Sequence, residues 1–435
     1  MSLIIEISNS YSRVKGLTPE LFRAIKKVLS YEADAQATFF SGGYARTKYL
    51  IDAKGSFPTG LLPRLESYLQ DKGISYVLEH ITQAPKKTLG MFKFDSKGLV
   101  PYVFQAEAMY IACANGRGGL EMCTGSGKSL VMALLIYNMQ VKTLVIVPTL
   151  ELKNQLSISF KQWFGNLDNI TIENIASSAL KKAHKYDMLI LDEVHHSASK
   201  TYQDLNKNAW KDIYHRYFFS GTFFRNQDSE QLLFESIAGQ RIFKFSYKEA
   251  VEAKCIVPVE AYYYVVPTSK TNGETWGPVY TELVVKNTVR NEMVASTLLN
   301  LSNSGLSTLC LVKEIEHGNI LSALTGLPFA NGADEDSRKN IAEFSAGRIK
   351  VLIGTTGILG EGVDSKPCEY VIVAGLGKAK SAFMQQIGRG VRKYPGKEST
   401  KIIIFQDKSH KWTVSHFNAQ KKILFDEYGV KVVKL

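Results

Sequence analysis

Residues 120–132 read LEMCTGSGKSLVM. A short apolar run gives way to Thr124-Gly125-Ser126-Gly127-Lys128-Ser129 and then to a helix-forming run. Glycines let a backbone curl until its N–H groups converge on a phosphate. The helix that follows begins at the anion, where its positive dipole end lies. In a loop of this kind Lys128 reaches the β- and γ-phosphates and the Ser129 hydroxyl holds Mg²⁺. The pattern GxxxxGK[ST] is incomplete, because Met122 occupies its first glycine position. A glycine-rich strand-to-helix turn without a ligand is the competing reading, and the rest of the chain has to choose between them.

Around the loop, apolar runs alternate with helix-like segments. The runs are Thr143–Val147, Met188–Leu191, Tyr217–Phe219, Val351–Ile353, Tyr370–Val373 and Lys401–Phe405, and helices are expected over Leu130–Met139, Leu150–Phe160 and Ser337–Ala346. Continuous β-rich runs separated by helices imply parallel sheets covered on both faces. Such sheets bind ligands beyond the carboxyl ends of their strands, so polar motifs should follow the runs directly. They do: Pro148-Thr149, Asp192-Glu193-Val194-His195, Ser220-Gly221-Thr222 and Gly354-Thr355-Thr356 each follow one. Asp192 lies 64 positions past Lys128. It is placed to hold Mg²⁺ through water, and Glu193 to orient or deprotonate the attacking water. A helix-capping carboxylate pair is the alternative for these two.

The chain has 435 residues, enough for two or three domains, with 45% hydrophobic and 22% charged residues. Its net charge of +12 favours a polyanionic partner such as nucleic acid. The excess is spread out: residues 1–98 hold 14 Lys/Arg against 9 Asp/Glu, and residues 393–435 hold 9 against 4. Contact with nucleic acid should therefore come from folded surfaces. Five scattered cysteines make neither a zinc pattern nor a disulfide framework, and reduced thiols are expected. No apolar stretch approaches the roughly 20 residues of a membrane span. No membrane association and a cytoplasmic location are the expectations, in the host cytoplasm if the chain is phage-encoded.

Residues 1–95 read as a small α/β domain. Leu3–Ile7 is strand-like, and Thr18 and Pro19 open a helix to Ser30 with Phe22, Ile25, Val28 and Leu29 on one face. Strands are expected at Gln36–Phe40 and Thr47–Ile51 around the Gly42-Gly43 turn, then a helix over Leu61–Leu69 and a strand over Ile74–Leu78. The module carries no catalytic cluster. Its basic helix face suits DNA docking, although it also suits plain solvation. Near the other end stands Gln385-Gln386-Ile387-Gly388-Arg389-Gly390-Val391-Arg392. Arg389 and Arg392 are three apart and would share one face of a helix, as suits a transferring phosphoryl group. The glycines at 388 and 390 hint at close approach to something.

Gln105, TGSGKS, PTLELKNQ, DEVH, SGT, TTGILGEGVD and QQIGRGVR come in the order and rough spacing of the superfamily 2 helicases, which the chain resembles over about residues 99–410. Within them it is similar in particular to the UvsW-type phage recombination helicases, with a wider likeness to the XPB and RecG groups. The resemblance implies two RecA-like lobes, 96–255 and 256–435, behind the 1–95 domain, with ATP and Mg²⁺ between them. It implies that Gln105 reads adenine and that Thr124, Gly125, Ser126, Gly127, Lys128 and Ser129 cradle the phosphates and metal. Asp192 and Glu193 would serve metal and water, and Gly362 and Asp364 would face the nucleotide. Gln385, Arg389 and Arg392 would complete catalysis. His195, Ser220, Gly221 and Thr222 would couple hydrolysis to movement. Thr149, Gln155, Lys313 and Thr355 would lie along the nucleic-acid track. The family's adenine motif usually has Arg and Tyr just before the Gln, where this chain has Tyr102 and Phe104.

The expectation is thus an ATP-dependent DNA helicase or translocase that remodels branched DNA: forks, four-way junctions and displaced-strand loops. Three other readings share much of the pattern. They are an RNA helicase, the motor subunit of a nuclease complex, and a nucleotide-switched clamp that binds DNA without moving.

Overall fold

The computed structural model describes residues 3–32, 47–85, 100–165, 168–177, 180, 185–193, 200–221, 228–332, 334, 336–359, 368–375 and 377–435. The chain forms two compact units, residues 1–122 with 127–245, and residues 123–126 with 246–435.

The first unit begins with a four-stranded sheet. β1 (Leu3–Ile7) and β2 (Tyr11–Lys15) form an antiparallel pair. The helix Pro19–Val28 follows, with the Thr18 hydroxyl accepting the Leu21 N–H at 3.2 Å. Its expected apolar face is the buried one: Ile25 and Leu29 are fully buried, and Phe22 and Val28 pack against the same core. β3 (Ser30–Glu32) pairs with β4 (Thr47–Tyr49), and β5 (Ser56–Pro58) with β2. The helix Leu62–Asp71 leads to β6 (Tyr76–His80), which runs parallel to β1, giving the order β5-β2-β1-β6. The sequence reading passes over β2 because its inward positions are Ser12 and Val14. The Ser12 hydroxyl is satisfied inside the fold by Thr59 at 3.0 Å, so a polar residue occupies a core position. The expected strand Gln36–Phe40 and the Gly42-Gly43 turn lie outside the described residues.

This module docks on the sheet that follows. Leu232, from the helix Asp228–Ala238, belongs to the module's own core. Arg64 donates to Glu235 through Nε at 3.1 Å and Nη2 at 2.9 Å. Arg216 is fully buried and donates to Ser10, to Asn206 and to the carbonyls of Trp210 and Ile213.

The sheet it docks on has β7 (Arg117–Met122), β8 (Thr143–Val147), β9 (Ile170–Asn174), β10 (Met188–Asp192), β11 (His215–Ser220) and β12 (Arg241–Phe245). They are all parallel, in the order β12-β7-β11-β10-β8-β9. Every residue of β8, β10 and β11 is buried, which is why Thr143–Val147, Met188–Leu191 and Tyr217–Phe219 read as continuous runs rather than as alternation.

The second unit holds β13 (Val259–Val266), β14 (Thr308–Val312), β15 (Phe329–Ala330), β16 (Val351–Thr355), β17 (Tyr370–Val373), β18 (Thr400–Asp407) and β19 (Val433–Lys434). This sheet is also wholly parallel, in the order β15-β16-β14-β17-β18-β13-β19. β13 escapes the sequence reading because its centre, Tyr262-Tyr263-Tyr264, is only half-buried. The α/β class with two parallel sheets and a small N-terminal module is as expected. No described helix is long and apolar enough to cross a membrane.

Candidate active site

β7 delivers the chain to Cys123, and the helix Lys128–Met139 begins five residues later. Gly125 and Gly127 have φ of +88° and +82°, in the left-handed region that glycine enters without a Cβ clash. The curl is tied by Ser126, whose backbone N–H and hydroxyl both donate to the Cys123 carbonyl, at 3.2 and 2.7 Å. No side chain caps the helix, and its first turn carries no acidic residue, so its positive end is left for an anion. Met122, at the position where the motif expects glycine, is the last residue of β7 and is fully buried. The strand simply continues there, and the curvature comes from the two later glycines.

Asp192 ends β10, and Ser220 ends the neighbouring β11. Asp192 is buried, and its Oδ1 accepts the Glu193 N–H at 3.0 Å. Glu193 has φ +50°, a left-handed conformation that costs a non-glycine residue about 1–3 kcal/mol. Its carboxylate meets the Lys128 ammonium, with Oε1 2.7 Å from Nζ, and Oε2 accepts from the Ser220 hydroxyl at 3.5 Å. The Lys128 and Glu193 side chains are only 12% and 17% exposed, so each compensates the other's charge away from bulk water. A phosphate chain in the loop would compete for Lys128 and release Glu193 toward a water. Gly221 follows Ser220 directly, while His195 and Thr222 lie outside the described residues.

Magnesium keeps several waters and takes one or two carboxylates plus substrate phosphates, not a protein cage. Ser129, half-buried in the first turn after the loop, and Asp192 offer that donor set. No cluster of three or more His, Cys, Asp or Glu that could hold a metal ion occurs among the described residues.

Gln105 is buried in the first turn of the helix Val103–Asn115. Its Oε1 accepts the Tyr102 N–H at 3.0 Å. Its Nε2 lies 2.4 Å from where a Cβ on Gly127 would stand, so the glutamine is fitted against the loop and leaves no room for a side chain there. Just before it, Tyr102 stacks on Phe104, and Phe104 stacks on Phe245 with ring centroids 3.7 Å apart. Phe245 was not singled out from the sequence. It is an inward residue of the alternating RIFKF strand, and nothing in its spacing ties it to residue 104.

In the second unit one expectation is corrected. Arg389 and Arg392 do not share a helix face, because the helix Lys380–Gly388 stops before them. Arg389 is its buried C-cap, and Arg392 bridges to Ile256 in extended structure. The reason is close packing at Gly390: a Cβ there would meet Thr400 Cγ2 at 2.4 Å and Val371 Cγ2 at 2.9 Å. The chain turns off the helix to run against β17 and β18. Gln385 lies half-buried within the helix. Gly362 and Asp364 lie outside the described residues.

The expected track residues also follow strand ends. Thr149 caps the helix Leu150–Phe164, accepting the Leu152 N–H at 3.2 Å, and Gln155 is exposed on that helix. Lys313 is exposed just past β14, and Thr355 ends β16 and is buried.

Comparison with known proteins bears on this geometry. Residues 99–183 match the family described as Type III restriction enzyme, res subunit, and residues 298–394 match the Helicase conserved C-terminal domain. The chain is 21% identical over 431 residues to the ATP-dependent DNA helicase uvsW of Enterobacteria phage T4, covering 86% of this chain and 85% of that protein. It is 24% identical over 345 residues to the DNA 3'-5' translocase XPB2 of Sulfurisphaera tokodaii, covering 67% and 78%. Its fold is similar to that of S. cerevisiae Dbp5 bound to RNA and ADP BeF3, with a TM-score of 0.53, 16% identity, and 79% and 95% of the two chains covered.

Proposed function

We propose that the chain is an ATP-dependent helicase of superfamily 2, that its substrate is DNA and that it remodels branched DNA. The observation that carries the proposal is the likeness to a phage DNA helicase over 86% of the chain. The net charge of +12 supports a polyanionic partner. The setting we assign is the cytoplasm.

In this reading Lys128 and the loop N–H groups bind the β- and γ-phosphates of ATP, and Glu193, once released from Lys128, orients the attacking water. Mg²⁺ held by Ser129 and Asp192 would neutralise charge on the phosphates. Gln105 stands beside the loop for the base. Gln385, Arg389 and Arg392 are assigned to completing hydrolysis, with Gly362 and Asp364 facing the nucleotide. His195, Ser220, Gly221 and Thr222 are assigned to coupling. Thr149, Gln155, Lys313 and Thr355 would line the strand, mainly through phosphate and sugar, so that movement is independent of sequence. Residues 1–95 are proposed as the DNA-docking domain, ahead of lobes at 96–255 and 256–435.

The test compares ATP-dependent resolution of a four-way junction with unwinding of a simple tailed duplex. Faster resolution of the junction is expected. If the duplex is unwound and the junction is ignored, the motor stands and the branched-DNA role falls.

A further inference from the structure

Between β13 and the helix Thr288–Asn303 the second unit makes an excursion that no motif of the motor uses. The helix Trp276–Tyr280 runs directly into a π-helical turn, Thr281–Val285. π-helical turns are rare and cluster at functional sites. The underside, Val279, Leu283, Val284 and Val285, is buried. Trp276, half-buried, packs at the border of this cluster, with its ring 5.3 Å from that of Tyr280, 4.0 Å from that of His416 and at 87° to that of Trp412, 6.3 Å away. His410 stands 5.0 Å from Trp412.

Lysines surround these rings. Lys411 Nζ lies 5.5 Å from the Trp412 ring centre, and Lys313 Nζ lies 5.2 Å from that of Tyr280 while also meeting Glu314 at 3.3 Å. The His416 imidazole is held down to about 4, first by burial and then by the charges of Lys378 and Lys313, so it is neutral at pH 7. Lys313, Lys378 and Lys411 are all exposed.

The placement is coherent. Lys313 follows β14, Lys378 follows β17, His410 to Trp412 follow β18, and the excursion follows β13. These four strands are consecutive neighbours in the sheet, so the groups crowd one stretch of its carboxyl edge, where ligands of parallel sheets bind. Rings interleaved with exposed cations match the alternation of bases and phosphates in a single strand, and a paired duplex would hide its base faces.

We propose that Trp276 and Trp412, with Lys313, Lys378 and Lys411, form a base-stacking platform for single-stranded DNA on the second unit. The proposal rests on the reading of the chain as a DNA motor and adds to it a contact with bases, where the track above touches phosphate and sugar.

The test uses the full chain and two labelled 20-nucleotide probes, an oligothymidylate and an abasic strand with the same phosphates, with affinity read by fluorescence anisotropy. Trp412→Ala should weaken oligothymidylate binding at least about fivefold and leave the abasic strand within about twofold. Trp412→Phe keeps a ring and should bind oligothymidylate within about threefold of the native chain, which separates stacking from a folding defect. Unchanged oligothymidylate affinity in Trp412→Ala, or equal losses on both probes, overturns the platform. If the native chain binds neither probe, the reading as a DNA motor fails with it.

Discussion

Gly60 shows how closely the N-terminal module is fitted to the first parallel sheet. It lies in the turn Thr59–Leu61, against the end of the helix Asp228–Ala238. A Cβ at position 60 would stand 2.0 Å from the Glu235 carbonyl oxygen, 2.8 Å from that of Ser236 and 2.9 Å from the Gly239 nitrogen. All three obstacles are backbone, so none can rotate aside. An ordinary contact needs at least 3.4 Å, so relief requires a local shift of more than 1 Å. Such a shift would strain the Arg64–Glu235 pair and the burial of Leu232. Overpacking a fitted contact costs about 1–3 kcal/mol, and fixed backbone obstacles put Gly60→Ala at the upper end. For a unit of this size each kcal/mol lowers the melting temperature by roughly 2–4 °C, so a fall of about 6–12 °C is expected by calorimetry. Gly277→Ala, where a Cβ meets nothing within 4 Å, is the control and should melt with the native chain. A Gly60→Ala protein that melts within about 2 °C of native would show that the module is not docked in this way.

Three further outcomes are expected. Glu193→Gln should keep ATP binding but lower turnover about a hundredfold or more, as measured by phosphate release; native turnover would remove Glu193 from the chemistry. Arg216→Ala leaves the groups that accept from its guanidinium, Ser10 and Asn206 among them, buried without their donor. It should cost about 3 kcal/mol in urea unfolding, and a loss under 1 kcal/mol would contradict the network. His317 is fully buried, its Nε2 3.0 Å from Asn291 Oδ1, and burial together with Arg290 holds its imidazole down to about 3. Below pH 6.5 the unfolded chain binds a proton that the folded chain refuses, so stability falls with pH down to about 3 and is about 2 kcal/mol lower at pH 5 than at pH 7.5. His416, held down to about 4, adds in the same direction. His317→Asn should flatten the slope measured by urea unfolding, and an unaltered slope would contradict this source.

What was legible in the sequence follows from burial. Strands covered on both faces, such as β8 and β17, could be bounded to the residue, because their apolar runs stop where the chain reaches the sheet edge. Strands with a polar or aromatic half-exposed side, β2 and β13, carry no such signal. The loop, Asp192 and Glu193 were readable because each follows a buried strand directly. That Glu193 would turn back to Lys128 through a left-handed φ was not, since no local pattern marks it. The helix break after Gly388 was misread because spacing on a helix assumes the helix continues. The contact that ends it, Gly390 against Thr400 and Val371, comes from the flanking strands β18 and β17, outside the local helical spacing.

The proposed DNA motor is driven by ATP through the phosphate loop. Its most direct test is single-turnover unwinding of a tailed DNA duplex by the native chain and by Lys128→Ala, with and without ATP. Strand separation by the native chain that requires ATP, and none by Lys128→Ala, is the result expected. Strand separation by Lys128→Ala at the native rate, or none by the native chain with ATP present, would contradict it.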